Sequence, residues 1–436
     1  SRSSPKPHAK GIAQALAGHE DKFIHHKSGD MFMFRRLVVI AFAAGCLALA
    51  VWASQEGAPS TRKTFYKGNL HTHSLWSDGD DFPEMIADWY KSHGYHFLSL
   101  TEHNVIATGI KWVDAASNKT REQAVDKVSK RFGPDWLERR VEKNRPQVRL
   151  KTLEQVKSKV DEPGKFILVQ GEEITHKFGK LPIHMNAINL ASVIKPADGG
   201  SVPETITVNV RQVNEQKAKT GREIVTFLNH PNYNWGVNAD DLTQAEELKF
   251  FEVYNGHPGT NQNGDKERPG CERLWDLVIS RRFKANRPAP LLGMATDDAH
   301  NYHVNSIKSP TPGRGWVMVR AGSLEPGALA KAMRDGDFYA STGVNLTDLN
   351  YSKKGLSLRI QPEPGVTHTT TFHATLKDAG PDGIGQVVST VAGTEAAYEF
   401  KGNELYVRAK VTSTKKHPNP SYMGEVECAW TQPLRP

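Results

Sequence analysis

Short apolar runs alternate with segments of helical period over residues 67–334. The stretches 67–71, 97–101, 165–170, 184–190, 223–228, 248–254, 291–295 and 315–320 read as strands, and 203–219, 274–283 and 324–334 read as helices. Asp81-Phe82-Pro83-Glu84 opens a further helix with an early proline and an acidic first turn, and His93-Gly94 stops it. Residues 111–161 are charged and read as mostly helical, a solvated covering layer. Nearly every polar cluster falls just past the C-terminal end of a strand. In a parallel α/β barrel those ends share one mouth, so residues far apart in sequence would meet there.

The pattern changes near residue 346. Runs at 356–360, 369–375 and 405–411 alternate apolar and polar positions between Gly, Pro and Asp turns. The expected layout is a barrel over 64–345 and a small β-sandwich-like domain over 346–436, whose expected role is to cap the barrel. Residues 1–32 are polar, without period, and read as a disordered extension. Residues 33–53 begin Met-Phe-Arg-Arg and continue as an apolar run ending in small residues, the pattern of a secretory signal or a retained anchor. The body is accordingly expected to be extracytoplasmic, periplasmic or secreted, touching a membrane only through that segment.

Composition narrows the chemistry. The net charge of +8 is spread and interleaved with acids, and no strand face alternates aromatic and basic residues. Nucleic acid is therefore not the expected partner. Three cysteines without Cys-x-x-Cys spacing exclude a zinc ribbon, an iron–sulfur site or a disulfide framework, and leave a Cys271–Cys428 pairing open. Eighteen histidines are the more telling count. His71 and His73, two apart on an extended segment, can turn both imidazoles to one point. Alone, such a pair often only decorates a strand end. Here Asp78, His103, Glu173, His184, His230, Asp298 and His300 accompany it at other strand ends. Singly each has an ordinary structural explanation, Asp78 as a turn residue and His230 in a His-Pro turn among them. Together they make nine nitrogen and oxygen donors with no sulfur, more than one ion can use, fitting two or three divalent ions (zinc, manganese or iron).

These motifs resemble those of the PHP superfamily, named for polymerase and histidinol phosphatase: His71-x-His73 with Ser77-Asp78-Gly79, Thr101-Glu102-His103, Gly171-x-Glu173, His184, His230-Pro231 and Asp298-x-His300. The resemblance covers about residues 67–343. It implies a distorted (β/α)7 barrel with a trinuclear site, one ion on His71, His73, Glu173 and Asp298, a second on Glu173, His184 and His230, a third on Asp78, His103 and His300. Thr101-Glu102-His103 departs from the commoner Thr-Asp-His at a position that is not usually a ligand, and spacing selects Glu173 over Glu172 and Asp298 over Asp297. The stretches Phe251-Glu252-Val253-Tyr254-Asn255-Gly256, Tyr339-Ala340-Ser341-Thr342-Gly343 and Ala429-Trp430-Thr431-Gln432-Pro433 look most like the carbaryl-hydrolase-like branch.

No Gly-x-Ser-x-Gly elbow or suitably placed cysteine supplies a nucleophile. The expected activity is hydrolysis of a small phosphoester by metal-bound hydroxide held through His71, His73, Glu173 and Asp298, with His257, Glu252 or His303 as candidates for protonating the leaving group. Two alternatives remain: a carbamate or carboxylic ester hydrolase with the same site, or a non-catalytic secreted protein binding metal or glycan. The oligomeric state is not expressed in the pattern.

Overall fold

The computed structural model describes residues 63–287 and 290–436; the segments expected to be an extension and a signal or anchor lie outside them. In chain order, β1 (Thr64–Asn69), α1 (Pro83–Ser92) and β2 (Phe97–Leu100) are followed by β3 (Trp112–Asp114), α2 (Lys119–Phe132), β4 (Arg139–Glu142), β5 (Arg145–Arg149) and α3 (Leu153–Val160). Then come β6 (Ile167–Phe178), β7 (Leu181–Ile188), α4 (Val202–Thr220), β8 (Val225–Leu228), α5 (Ala239–Gln244), β9 (Phe250–Asn255), α6 (Cys271–Lys284), β10 (Leu292–Thr296), β11 (Trp316–Ala321), α7 (Pro326–Arg334) and β12 (Phe338–Ser341). The remaining strands are β13 (Leu346–Ser352), β14 (Gly355–Ile360), β15 (His368–Leu376), β16 (Gln386–Ala392), β17 (Glu395–Glu399), β18 (Glu404–Lys416) and β19 (Val426–Thr431).

Seven strands, β1-β2-β6-β7-β8-β9-β10, make the distorted barrel, with β7 antiparallel to both neighbours. A parallel bridge between Thr72 and Ala299, beyond the ends of β1 and β10, closes it. Alternation along each strand sorts the side chains: Phe97, Val169, Phe250 and Met294 fill one cluster with Leu70 and Phe227, while Leu98 and Leu168 pack on the first helices and Phe251 and Ala295 on the later ones. The apolar residues plug the barrel and leave the mouth polar.

Two expectations need correction. The 111–161 segment carries a three-stranded sheet, β3-β5-β4, besides its helices. Its hairpin turns at Lys143-Asn144, both with positive φ (50° and 59°), a turn without the usual glycine signal. His184, expected to begin a strand over 184–190, lies within β7, which starts earlier and whose reversed direction brings its early residues to the mouth.

The C-terminal strands pack β13-β14-β17 against β12, β19, β18 and β15 around Tyr339, Leu358, Phe372 and Val407. The larger layer is continuous with the barrel through β1-β11-β12-β19, and all described residues belong to one compact unit. On its other face Tyr406 and Trp430 join the core beneath α6. There Arg408 donates to both oxygens of Asp276 (2.8 and 2.6 Å) and Tyr406 to one of them (2.7 Å). Cys271 and Cys428 are buried and unpaired. Among the described residues, no helix is long and apolar enough to cross a membrane.

Candidate metal centre

The first two histidines are placed by backbone lacing at the closed seam of the barrel. His73 N donates to Ala299 O (2.9 Å) and Asp298 N to His71 O (3.0 Å), which sets the two imidazole centroids 5.2 Å apart and brings Asp298 beside them. The chain then folds back, Gly79 N donating to Ser74 O (3.0 Å). A Cβ at residue 79 would lie 2.3 Å from His73 O, so only glycine lets Asp78 return over His73. His230 and Asp298 both have positive φ (22° and 50°). Backbone strain at non-glycine positions of this kind persists where surrounding structure holds it, often at functional sites.

All nine expected donors meet. Glu173, fully buried on β6, stands in the middle: His71 Nε2 and His230 Nε2 are each 3.6 Å from its Oε1, His184 Nδ1 is 3.1 Å from Oε1, and His73 Nε2 and His103 Nδ1 are 3.5 and 2.7 Å from Oε2. Asp298 Oδ1 lies 3.2 Å from His71 Nε2 and 3.4 Å from His73 Nε2. Asp78, half exposed, reaches His103 Nε2 at 3.3 Å and His300 Nε2 at 3.5 Å. The donors group as Glu173-His184-His230, as His71-His73-Glu173, as His71-His230-Asp298, and as His73-Asp78-His103-His300.

Burial would lower the basicity of His71, but the carboxylates of Asp298, Glu252 and Glu173 outweigh it and raise its pKa. Burial, with His300 alongside, pushes His73 down to about 3, leaving it an unprotonated donor. Burial opposes ionisation of Glu173, yet His184, His71 and His103 hold its carboxyl well below the usual range; His71, His73 and His300 do the same for Asp298. His71 Nε2 and His73 Nε2 are buried without a hydrogen-bond partner among the described residues. Ionised carboxylates facing orphaned imidazole nitrogens fit a divalent cation: the ion would satisfy both, whereas burying such atoms unpaired is costly.

Several supporting residues were not legible as such. Glu252, expected as a mouth acid, is buried beneath the donors. It lies 2.7 Å from His71 Nδ1 and accepts from His230 N (2.7 Å), Asn255 Nδ2 (2.7 Å) and Thr296 Oγ1 (2.6 Å). Its inward place on β9 makes it an orienting carboxylate, not a solvent-facing acid. Asn229 Nδ2 donates to Glu173 Oε1 (2.8 Å) and Asn255 Nδ2 to Asp298 Oδ2 (3.1 Å). The neighbouring acids turn away: Glu172 Oε2 accepts from Ile194 N (2.8 Å), Asp297 accepts from Asn69, Tyr90 and the backbone of residues 313–315, and Glu102 accepts from Ser74 N (3.1 Å) and Ser74 Oγ (2.5 Å).

The mouth is a cavity of about 280 Å³ which adds Tyr233, His257, Thr260 and Pro310 to the donors. His257 lies 5.7 Å from His300, ring to ring. His303 does not reach the mouth; its Nε2 is 3.5 Å from Asp81 and it lines a separate cavity. Buried Arg314 ties the mouth loops together, donating to Gly256 O (2.8 Å), Ser306 O (3.0 Å) and Asn419 O (3.3 Å), the last on the loop between β18 and β19.

No family model matches the chain, and no curated protein matches it. Among solved structures, a two-domain protein containing a predicted PHP-like metal-dependent phosphoesterase from Bacteroides vulgatus aligns at 16% identity and TM-score 0.38, over 85% of this chain and 96% of that one. An amidohydrolase from Chromobacterium violaceum aligns at 11% identity and TM-score 0.26, over 54% of this chain and 88% of that one. Likenesses this distant carry no argument about fold or function, which rest on the geometry above.

Proposed function

We propose that the chain is a metal-dependent hydrolase of the PHP type whose first substrate class is a small phosphoester. The observation that carries the reading is the convergence of nine nitrogen and oxygen donors on one mouth, two of their buried imidazole nitrogens being without a hydrogen-bond partner among the described residues. His71, His73, Glu173, His184, His230 and Asp298 would hold the deeper ions, and Asp78, His103 and His300 the outermost one. Bound divalent ions supply Lewis acidity, making water easier to ionise near neutral pH and offsetting negative charge on the reacting oxygens.

The chain's own groups do the positioning. Glu252 accepts the Nδ1 proton of His71, and the carbonyl oxygen of Asp298, an obligate acceptor, takes that of His300 (2.9 Å), so both rings present an Nε2 lone pair inward. His257 Nδ1 accepts from Gly259 N (3.0 Å), which puts the proton of the neutral ring on Nε2. Burial lowers the His257 pKa, and in that neutral form it can donate a hydrogen bond to a substrate or leaving-group oxygen. Tyr233 and Thr260 give the mouth two more hydroxyl groups.

One feature favours a carbamate or carboxylic ester as a second reading: no Lys or Arg is among the described residues lining the mouth, so nothing beyond bound ions would recognise a phosphate dianion. Turnover of a phosphomonoester, a phosphodiester and an aryl carbamate by metal-replete protein separates the two. Phosphoester hydrolysis above the carbamate rate supports the first reading, and no phosphoester turnover at full metal occupancy rejects it. An extracytoplasmic location belongs to the same proposal and rests on the 33–53 segment alone.

A further inference from the structure

A second cavity of about 450 Å³ opens between α1, the start of β1, β11 and the 301–313 loop. Volumes of this order accommodate a single small ligand. Trp89, Tyr95 and Trp316 supply aromatic walls, and Lys67 supplies the charge. Lys67 Nζ sits 3.9 Å from the ring centroids of both Tyr95 and Trp316. Among the described residues it has no ion-pair or hydrogen-bond partner. The two acids that influence it are engaged elsewhere: Asp297 accepts five hydrogen bonds from Asn69, Tyr90 and the backbone of residues 313–315, and Glu427 lies 3.2 Å from Lys415.

Three further polar atoms on residues of the same walls have no hydrogen-bond partner among the described residues: Tyr95 Oη and Trp316 Nε1, on residues only 3% and 8% exposed, and His303 Nε2, which lies 3.5 Å from Asp81. A half-buried ammonium without a counterion, in walls with these unsatisfied groups, is costly unless something anionic completes it. Aromatic faces beside the ammonium select a flat apolar body for the remainder of the ligand.

We propose that this cavity binds a small aryl carboxylate, with its carboxylate on Lys67 and its ring among Trp89, Tyr95 and Trp316. A sugar acid fits less well, because three of the polar side chains that would meet its hydroxyls, Asn301, Tyr302 and Asn419, already donate elsewhere. Asn301 Nδ2 donates to Asp80 (3.2 Å), Tyr302 Oη to His73 O (3.0 Å), and Asn419 Nδ2 to Thr311 and Pro312 O (2.9 Å each). Inorganic phosphate fits less well too, since one ammonium is a poor match for several anionic oxygens. The partial burial of Lys67 also lowers its pKa to about 8, consistent with a charge that lacks a counterion. The site does not depend on hydrolysis at the barrel mouth.

The test is a calorimetric titration of the full chain with benzoate, and with benzyl alcohol, glucuronate and inorganic phosphate, in the wild type and in Lys67→Met. Saturable benzoate binding is expected, weakened about tenfold or more both by Lys67→Met and by exchanging the carboxylate for an alcohol. The proposal is overturned if benzoate does not saturate, or if Lys67→Met binds it as tightly, since that binding would belong elsewhere, including the metal centre. Glucuronate or phosphate binding as tightly as benzoate would reject the aryl assignment. If Lys67→Met does not fold, acetylation of Lys67 in the wild type, followed by mass spectrometry, replaces it: benzoate should slow the modification, and no protection overturns the site.

Discussion

Two of the buried clusters of charge among the described residues differ in what they leave open. At the seam between barrel and β domain, Asp276 meets Arg408 in a two-pronged pair, and Tyr406 adds a third bond. Both oxygens of the acid are occupied, and one negative charge faces one positive charge. At the mouth, Glu173 and Asp298 face a ring of imidazoles whose charge depends on protonation, and His71 Nε2 and His73 Nε2 lie near those carboxylates without a hydrogen-bond partner among the described residues. The seam pairs its one acid with one base and leaves Arg408 Nη1, an N–H donor, without a hydrogen-bond partner among the described residues, whereas the mouth leaves ring nitrogens beside ionised carboxylates, a set that a cation would complete. Neither buried charge nor an unpartnered atom by itself therefore distinguishes the two; the chemistry of the atoms left open does.

The comparison can be broken most severely at the mouth. Asp298→Asn should lower kcat/KM by about 10³-fold or more while the melting temperature stays near that of the wild type, because it removes a donor that supports chemistry more than folding. Loss of the fold instead would make the mouth a structural cluster like the seam. The converse holds for Asp276→Asn. Leaving Arg408 charged and buried without its counterion should cost about 3–5 kcal/mol of stability, measured by denaturant unfolding, with activity per folded molecule unchanged. A variant that lost activity but not stability would reverse the roles assigned to the two clusters.

A smaller effect is expected one step back from the donors. Glu252→Gln should cost about 10–100-fold in metal affinity or activity by releasing the orientation of His71, and an unchanged metal affinity and rate would remove Glu252 from the site. The smallest effect sharpens what burial alone does, away from both clusters. Glu84, 1% exposed and accepting from Trp136 Nε1 (2.8 Å), is pushed by burial up to about 7 from 4.5. Its raised pKa means the folded state holds the proton more tightly than the unfolded chain. The resulting stability is fully present below about pH 4.5 and is lost as pH rises through about 7. Glu84→Gln keeps an acceptor for Trp136 without the titration, so its melting temperature should gain on the wild type between pH 5 and pH 8. A constant difference across that range would contradict the shift.

The donor set was largely legible because most members sit at or just past the end of an apolar run, and because strand alternation makes His71-x-His73 a chelating pair. An α/β barrel followed from the same runs, and its distorted seven-stranded form from the PHP resemblance. What was not legible depends on direction and depth. Reversal of β7 cannot be read from its residues, so nothing in the 184–190 run explained why His184, at its start, should share a mouth with donors that follow their strands. Glu252 lies on a strand that ends at the mouth, and only the three-dimensional packing shows it beneath His71 and not in solvent. His303, three residues past Asp298-x-His300, is carried by its loop to Asp81 and the second cavity. The sheet β3-β5-β4 was hidden in a segment whose charge content suggested helices, because its hairpin turns on Lys143-Asn144 without a glycine. The tie from Asn419 through Arg314 to the loop bearing His257 joins residues separated by more than a hundred positions, and no local pattern announces it.

The central claim is that the mouth is a metal centre, and elemental analysis of protein purified without chelator tests it most directly. Two or three equivalents of divalent metal per chain, lost in Asp298→Asn and retained in Asp276→Asn, are the predicted result. Metal-free protein that takes up no zinc, manganese or iron when these are supplied would contradict it.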